Sequence, residues 1–86
     1  MASSAAVTTA QVKAARALLG WSQGDLAEAS GVSHPSIKRL EADTGELGGY
    51  ADTREKIVGA LEKAGVIFVE ENGDGPGVRL RKGNRK

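Results

Sequence analysis

The sequence predicts a mainly α-helical domain of four helices followed by a C-terminal β-hairpin. Three observations indicate this. Apolar residues recur at helical spacing between residues 8 and 64, glycines end the periodic runs at Gly20, Gly31 and Gly65, and the period changes to a strand pattern at residue 66. With 86 residues, the chain is expected to form one domain with a small core.

The first helix is predicted to begin after Thr8, which can form a capping box with Gln11. One face then carries the periodic positions Val12, Ala15, Arg16 and Leu19. Gly20 is expected to end the helix, and Trp21 to close the end of the core. Residues 1–7 have no periodicity, so we expect a disordered N-terminus.

Residues 21–43 read as two short helices joined by a tight turn. Ser22 and Asp25 can form a second capping box, and Ser33 can cap the helix that follows. Proline fits in the first turn of that helix, at Pro35. The small residue at the helix crossing, the glycine at the turn and the apolar anchor of the second helix are Ala27, Gly31 and Ile37.

This spacing resembles the lambda-repressor/Cro-like (XRE-type) helix-turn-helix family, with Gln23 opening the first helix of the motif and Leu40-Glu41 closing the second. An ordinary helical hairpin with a glycine turn is the alternative. The resemblance implies a four-helix lambda-repressor-like DNA-binding domain over residues 8–65. It also implies an ion pair between Arg16 and Glu41, for which two solvated surface charges are the alternative.

By this resemblance, the helix at residues 33–42 would lie in the major groove of double-stranded DNA. Lys38 and Arg39 are the donors best suited to guanine, and a solvated face is their alternative. Pro35 has no donor and can offer only apolar contact, although the family often places a glutamine there. The complete set of predicted DNA contacts is Ser22, Gln23, Ser33, His34, Pro35, Ser36, Lys38 and Arg39.

Residues 43–52 contain three glycines and are predicted to be a loop, after which Asp52 and Glu55 would cap a helix at residues 53–64. Residues 66–71 and 78–81 are predicted strands, joined by the glycine-rich turn at residues 72–77. Across this hairpin, acidic residues at 70 and 71 could face basic residues at 79 and 81.

The first predicted strand is apolar on both faces, which a four-helix domain can cover only once. Residues 66–82 are therefore predicted to dimerise the chain, with an interface formed by Val66, Ile67, Phe68, Val69, Val78 and Leu80. Such a homodimer would bind an inverted repeat, with Arg79, Arg81 and Lys82 near its middle. Alternatively, the hairpin packs on its own helices and the last helix forms the dimer.

Charge is distributed unevenly: residues 1–78 carry a net charge of −4 and residues 79–86 a net charge of +5, so residues 83–86 form a basic tail. There is no cysteine, no membrane-length apolar run and no signal-peptide pattern, and we expect a cytoplasmic protein without metal or cofactor. The residues suggest no enzyme. The favoured function is a sequence-specific transcriptional repressor; the alternative is an antitoxin or co-factor module whose C-terminal strand binds a partner protein.

Overall fold

The computed structural model describes residues 7–70 and 73–82. Four helices precede a two-stranded antiparallel hairpin, as the sequence predicted. The elements in order are α1 Thr9–Leu19, α2 Gln23–Ser30, α3 His34–Glu41, α4 Ala51–Lys63, β1 Val66–Val69 and β2 Gly77–Leu80.

The ends of the first two helices are defined by the predicted local signals. The Thr8 hydroxyl accepts a hydrogen bond from the backbone N–H of Gln11 at 3.1 Å, and the Gln11 side chain accepts one from the Thr8 backbone at 2.8 Å. Ser22 and Asp25 form the same capping box at the start of α2. The glycines after both helices adopt left-handed conformations, which L-residues with a Cβ rarely do.

The core lies between the four helices and the inner face of the hairpin. Trp21 and Leu19 are partly buried against it. Its buried apolar side chains are Val7, Val12, Ala15, Leu26, Val32, Ile37, Leu40, Leu47, Ile57, Val58, Leu61, Val66 and Phe68.

Two core residues lie in segments for which the sequence predicts no buried position. Val7, which we placed in the disordered N-terminus, is completely buried; residues 1–6 of that prediction lie outside the described residues. Leu47, in the predicted loop, is also buried. The Leu47 backbone N–H donates to the Val7 carbonyl at 3.0 Å, so the loop packs against the start of α1.

The beginning of α4 differs from the prediction. Tyr50, rather than Asp52, is the N-cap residue, and no side chain caps this helix end. Asp52 lies in the first turn and pairs instead with Lys56 at 3.3 Å, one turn later. Ile57 and Val58 on this helix are both buried.

The hairpin packs one face on the helices. Val66 lies opposite Leu80 and Phe68 opposite Val78, and these four side chains face the core. Of the six predicted dimer residues, only Ile67 and Val69 therefore point to the outer face, where they are half-buried. The side chains of Val66 and Phe68 are already covered within one chain.

Of the charge pairs predicted across the hairpin, those of Glu70 with Arg79 and Arg81 do not form between the paired strands in this register. Arg79 lies opposite Ile67, and Arg81 follows the last residue of β2, with its backbone N–H bonded to the Gly65 carbonyl. Glu70 lies beyond the last paired residue of β1, and Glu71 lies outside the described residues. These charges are not opposite one another because β1 ends at Val69 and the chain turns earlier than the alternation of the sequence indicated.

One polar side chain ties the hairpin to α1. The amide nitrogen of Gln11 donates to the carbonyl of Val69 at 3.1 Å and to that of Gly77 at 2.8 Å. Gln11 is buried, and its oxygen is used in the capping box with Thr8. A single amide thus sets the start of α1 and fixes the two strands against it.

Candidate nucleic-acid interface

The helix-turn-helix geometry of α2 and α3 follows from three local features. Gly31 ends α2 in the left-handed conformation at φ 79°, and α3 begins three residues later at His34. Ser33 then caps α3, since its hydroxyl accepts from the Ser36 backbone N–H. Pro35 occupies the first turn, where the backbone needs no N–H donor. Both ends of the turn are therefore fixed by short-range chemistry.

The inner face of α3 anchors it to the core. Ile37, Leu40 and Glu41 are buried, while the remaining side chains of the helix are more exposed. At about 100° per residue, these three positions lie within one arc of the helix. The helix is consequently held with a single face toward solvent.

The outer face of α3 carries most of the predicted base contacts. Its exposed side chains are His34, Pro35, Lys38 and Arg39. These four positions span about 140° of the helix surface. Neither Lys38 nor Arg39 forms an ion pair with any of the described residues. The face therefore presents two positive charges whose hydrogen-bond donors are not used by ion pairs within this part of the chain.

The ion pair that the resemblance implied between Arg16 and Glu41 is present. The Arg16 Nε donates to Glu41 Oε2 at 2.8 Å and its Nη2 donates to Oε1 at 2.7 Å, so the pair is bidentate. The side chains are 18% and 4% exposed, respectively. A third bond from Arg16 to the Trp21 carbonyl, at 2.9 Å, fixes the guanidinium at the junction of α1, α2 and α3.

The pair sets the charge state of Glu41. Burial alone would raise the pKa of its carboxyl, but the hydrogen bonds from Arg16 and Gln23, together with the charges of Arg16 and Lys13, hold that pKa below its ordinary value. The hydrogen bond to Glu41 is also the main reason that the pKa of Arg16 is raised. Both groups are therefore ionised at neutral pH.

Gln23 extends this network to the outer face of α3. Its amide nitrogen donates to Glu41 Oε1 at 3.0 Å, and its amide oxygen lies 3.4 Å from His34 Nε2. The sequence placed Gln23 near DNA but did not reveal these two internal contacts. Its spacing from Glu41 along the chain gave no signal, because the two residues meet only when α2 and α3 cross.

The predicted serine contacts surround the same helix ends. Ser22 and Ser33 are exposed, and their oxygens cap α2 and α3. The Ser33 hydroxyl also donates to the Ser36 hydroxyl at 2.9 Å. All eight predicted DNA contacts thus lie on α3 or at the adjoining start of α2, whereas the hairpin residues form a separate surface.

A glycine turn between two short helices, the second anchored inside and basic outside, is the arrangement of a DNA-reading motif. Residues 12–49 match the family model described as helix-turn-helix. This segment is a helix-turn-helix of the lambda-repressor/Cro-like (XRE-type) family. The matched segment runs from α1 to the loop before α4, so the hairpin lies outside it. No curated protein matches the chain.

The helix-turn-helix match supports a DNA-binding regulator of the XRE kind, and domains of this family are not generally catalytic. Among the described residues, no cluster of three or more histidine, aspartate or glutamate side chains could hold a metal ion. None of the four helices combines the length and apolar character that a membrane crossing requires.

Proposed function

We propose that this XRE-family protein is a sequence-specific transcriptional repressor in which α3 reads bases in the major groove. The observation that carries the proposal is the outer face of α3, where Lys38 and Arg39 project from a helix whose opposite face is buried. A helix held in one orientation can present the same donors to successive base pairs. Guanine, with two acceptors in the major groove, is the base that these side chains fit best.

The residues around α3 would position the protein on the DNA backbone. Ser22 and Gln23 stand at the start of α2, where unpaired backbone N–H groups favour a phosphate. His34 is exposed and could contact a base edge or a phosphate. Because Gln23 is bonded to Glu41 and lies close to His34, we infer that it orients His34 in addition to any contact with phosphate.

We also propose that the protein acts as a homodimer on an inverted repeat. A two-fold dimer would place two copies of α3 about one DNA turn apart, ~34–36 Å. The outer face of the hairpin supports this proposal, since Ile67 and Val69 remain only half-buried in a single chain.

A binding-site selection with purified protein tests the base-reading proposal. Arg39→Ala is expected to weaken specific binding by about 1–3 kcal/mol and to relax the preference at one base position. Lys38→Ala should reduce affinity, whereas the control Lys63→Ala, at an exposed lysine outside the motif, should leave it nearly unchanged. If Arg39→Ala keeps both the affinity and the preferred sequence, α3 does not read bases as proposed.

A further inference from the structure

One edge of the hairpin exposes main-chain hydrogen-bonding groups. The bond from the Arg81 N–H to the Gly65 carbonyl, at 2.7 Å, sets the alternation of the antiparallel ladder. Ile67 and Val69 accordingly direct their N–H and C=O groups toward β2, and Val66 and Phe68 direct theirs away from it. The outer edge of β1 is thus an unpaired strand edge, which is a template for another strand.

A groove lies along this edge. It encloses about 430 Å³ and is lined by Glu62 from α4, by Val66, Ile67 and Phe68 of β1, and by Arg81. Its walls are mainly apolar, with one acidic and one basic side chain. The helices therefore do not cover the β1 edge, and an extended segment has room beside it.

We propose that β1 of a second copy of this chain occupies the groove, antiparallel to the first, with Phe68 opposite Phe68 of the partner subunit. This inference rests on the proposed dimeric regulator and specifies how its subunits join. The pairing centred on Phe68 matches the outward-pointing main-chain groups of the two strands. Ile67 then lies opposite Val69 of the partner subunit, and a contiguous β-branched cluster covers the half-buried outer face.

Charge selects β1 over the other edge. Pairing through β2 would bring Arg79 and Arg81 close to the same residues of the second copy, and neighbouring like charges destabilise a sheet. Pairing through β1 leaves these arginines on the two outermost strands. It also brings Glu70 of the partner subunit to the end of the groove where Arg81 lies. The basic residues consequently flank the four-stranded sheet. The sequence instead predicted them near the middle of the dimer.

Disulfide trapping tests this arrangement in the full chain, which contains no cysteine of its own. In the double variant Ile67→Cys/Val69→Cys, each new cysteine faces its counterpart across a non-hydrogen-bonded pair, where Cα atoms are about 4.5 Å apart. That separation is within the range of a disulfide. Mild oxidation at micromolar concentration should give a covalent dimer, while each single variant should cross-link much less.

The matched control is Arg79→Cys/Arg81→Cys, which places two cysteines at the same spacing on the exposed outer face of β2. It should remain monomeric on a denaturing gel. Cross-linking of this control in place of the β1 variant would overturn the proposal, as would a β1 variant that stays monomeric. A single variant that cross-links as fast as the double would overturn the register centred on Phe68.

A second measurement does not depend on cysteine. Ile67→Lys places a charge on the half-buried outer face, and should weaken dimerisation at least tenfold by light scattering while leaving the circular dichroism spectrum unchanged. A wild-type protein that is monomeric at micromolar concentration overturns the inference. If the wild type is dimeric and binds DNA but β1 does not cross-link, only the mode of pairing fails. If it binds no DNA, the proposed function fails whatever the cross-linking shows.

Discussion

Removal of either member of the Arg16–Glu41 pair should destabilise the domain, but by different amounts. Arg16→Ala leaves a carboxylate that is 4% exposed without its two strongest donors. We expect a cost of about 3–5 kcal/mol, as for a broken buried pair. Glu41→Ala leaves Arg16, which is 18% exposed and keeps its bond to the Trp21 carbonyl, so a smaller cost of about 2–3 kcal/mol is expected.

Urea denaturation followed by circular dichroism at pH 7 measures both costs and their coupling. The double variant should cost less than the sum of the two single changes, by about 1–3 kcal/mol. The exposed pair Asp52–Lys56 provides a matched control, with Lys56 Nζ 3.3 Å from Asp52 Oδ2. The coupling energy of this pair should stay within about 0.5 kcal/mol. Additive single costs, or a coupling no larger than the control, would refute the structural role of Arg16–Glu41.

The same pair predicts a pH dependence. Because folding lowers the pKa of Glu41, the unfolded chain binds a proton more readily as the pH falls below the ordinary glutamate value of about 4.3. The stabilisation from the pair is thus complete above that value and is lost as the pH falls through the lowered pKa of the folded state. Glu41→Gln, which cannot ionise, should show a flatter stability profile over this acidic range.

Four further changes probe features outside α2 and α3. Thr9→Val should raise the midpoint of thermal unfolding, corresponding to roughly 1 kcal/mol, because the Thr9 hydroxyl is buried without a hydrogen-bond partner among the described residues. Gln11→Glu should cost at least about 1–3 kcal/mol at pH 7 and less at pH 4, since its carboxylate would face two strand carbonyls. Gly49→Ala should destabilise by about 1–2 kcal/mol, because Gly49 has φ 84° and an added Cβ would lie 3.1 Å from Leu40; Gly59→Ala, in open space within α4, should instead stabilise by about 0.5–1 kcal/mol. Urea denaturation measures the change in the free energy of unfolding for the Gln11, Gly49 and Gly59 variants, with Gln11→Glu measured at both pH values.

Sequence reasoning succeeded where the determining chemistry is local. A capping box is made by two residues three positions apart, as at Thr8 and Ser22, and a left-handed glycine needs no distant partner. These features define both helices of the motif and the turn between them. The outer face of α3 followed from the same local signals, because helical spacing alone separates Ile37 from Lys38 and Arg39.

The predictions failed where distant segments meet. Val7 and Leu47 are buried because the loop before α4 pairs with the start of α1, and neither segment has a periodic pattern that indicates burial. Gln11 contacts carbonyls 58 and 66 residues further along the chain. At the start of α4, two acidic residues suggested a capping box, but the chain begins the helix at Ala51 and leaves it without a side-chain cap.

The network at the crossing of α2 and α3 connects stability with the position of the DNA-reading face. Glu41 closes the inner face of α3 and is held by Arg16 from α1, while Gln23 joins Glu41 to the side of α3 on which His34 stands. A change that frees Glu41 therefore affects the orientation of α3 as well as the free energy of unfolding. Since base discrimination depends on the angle at which donors approach the groove, loss of the ion pair should reduce specificity even in molecules that remain folded.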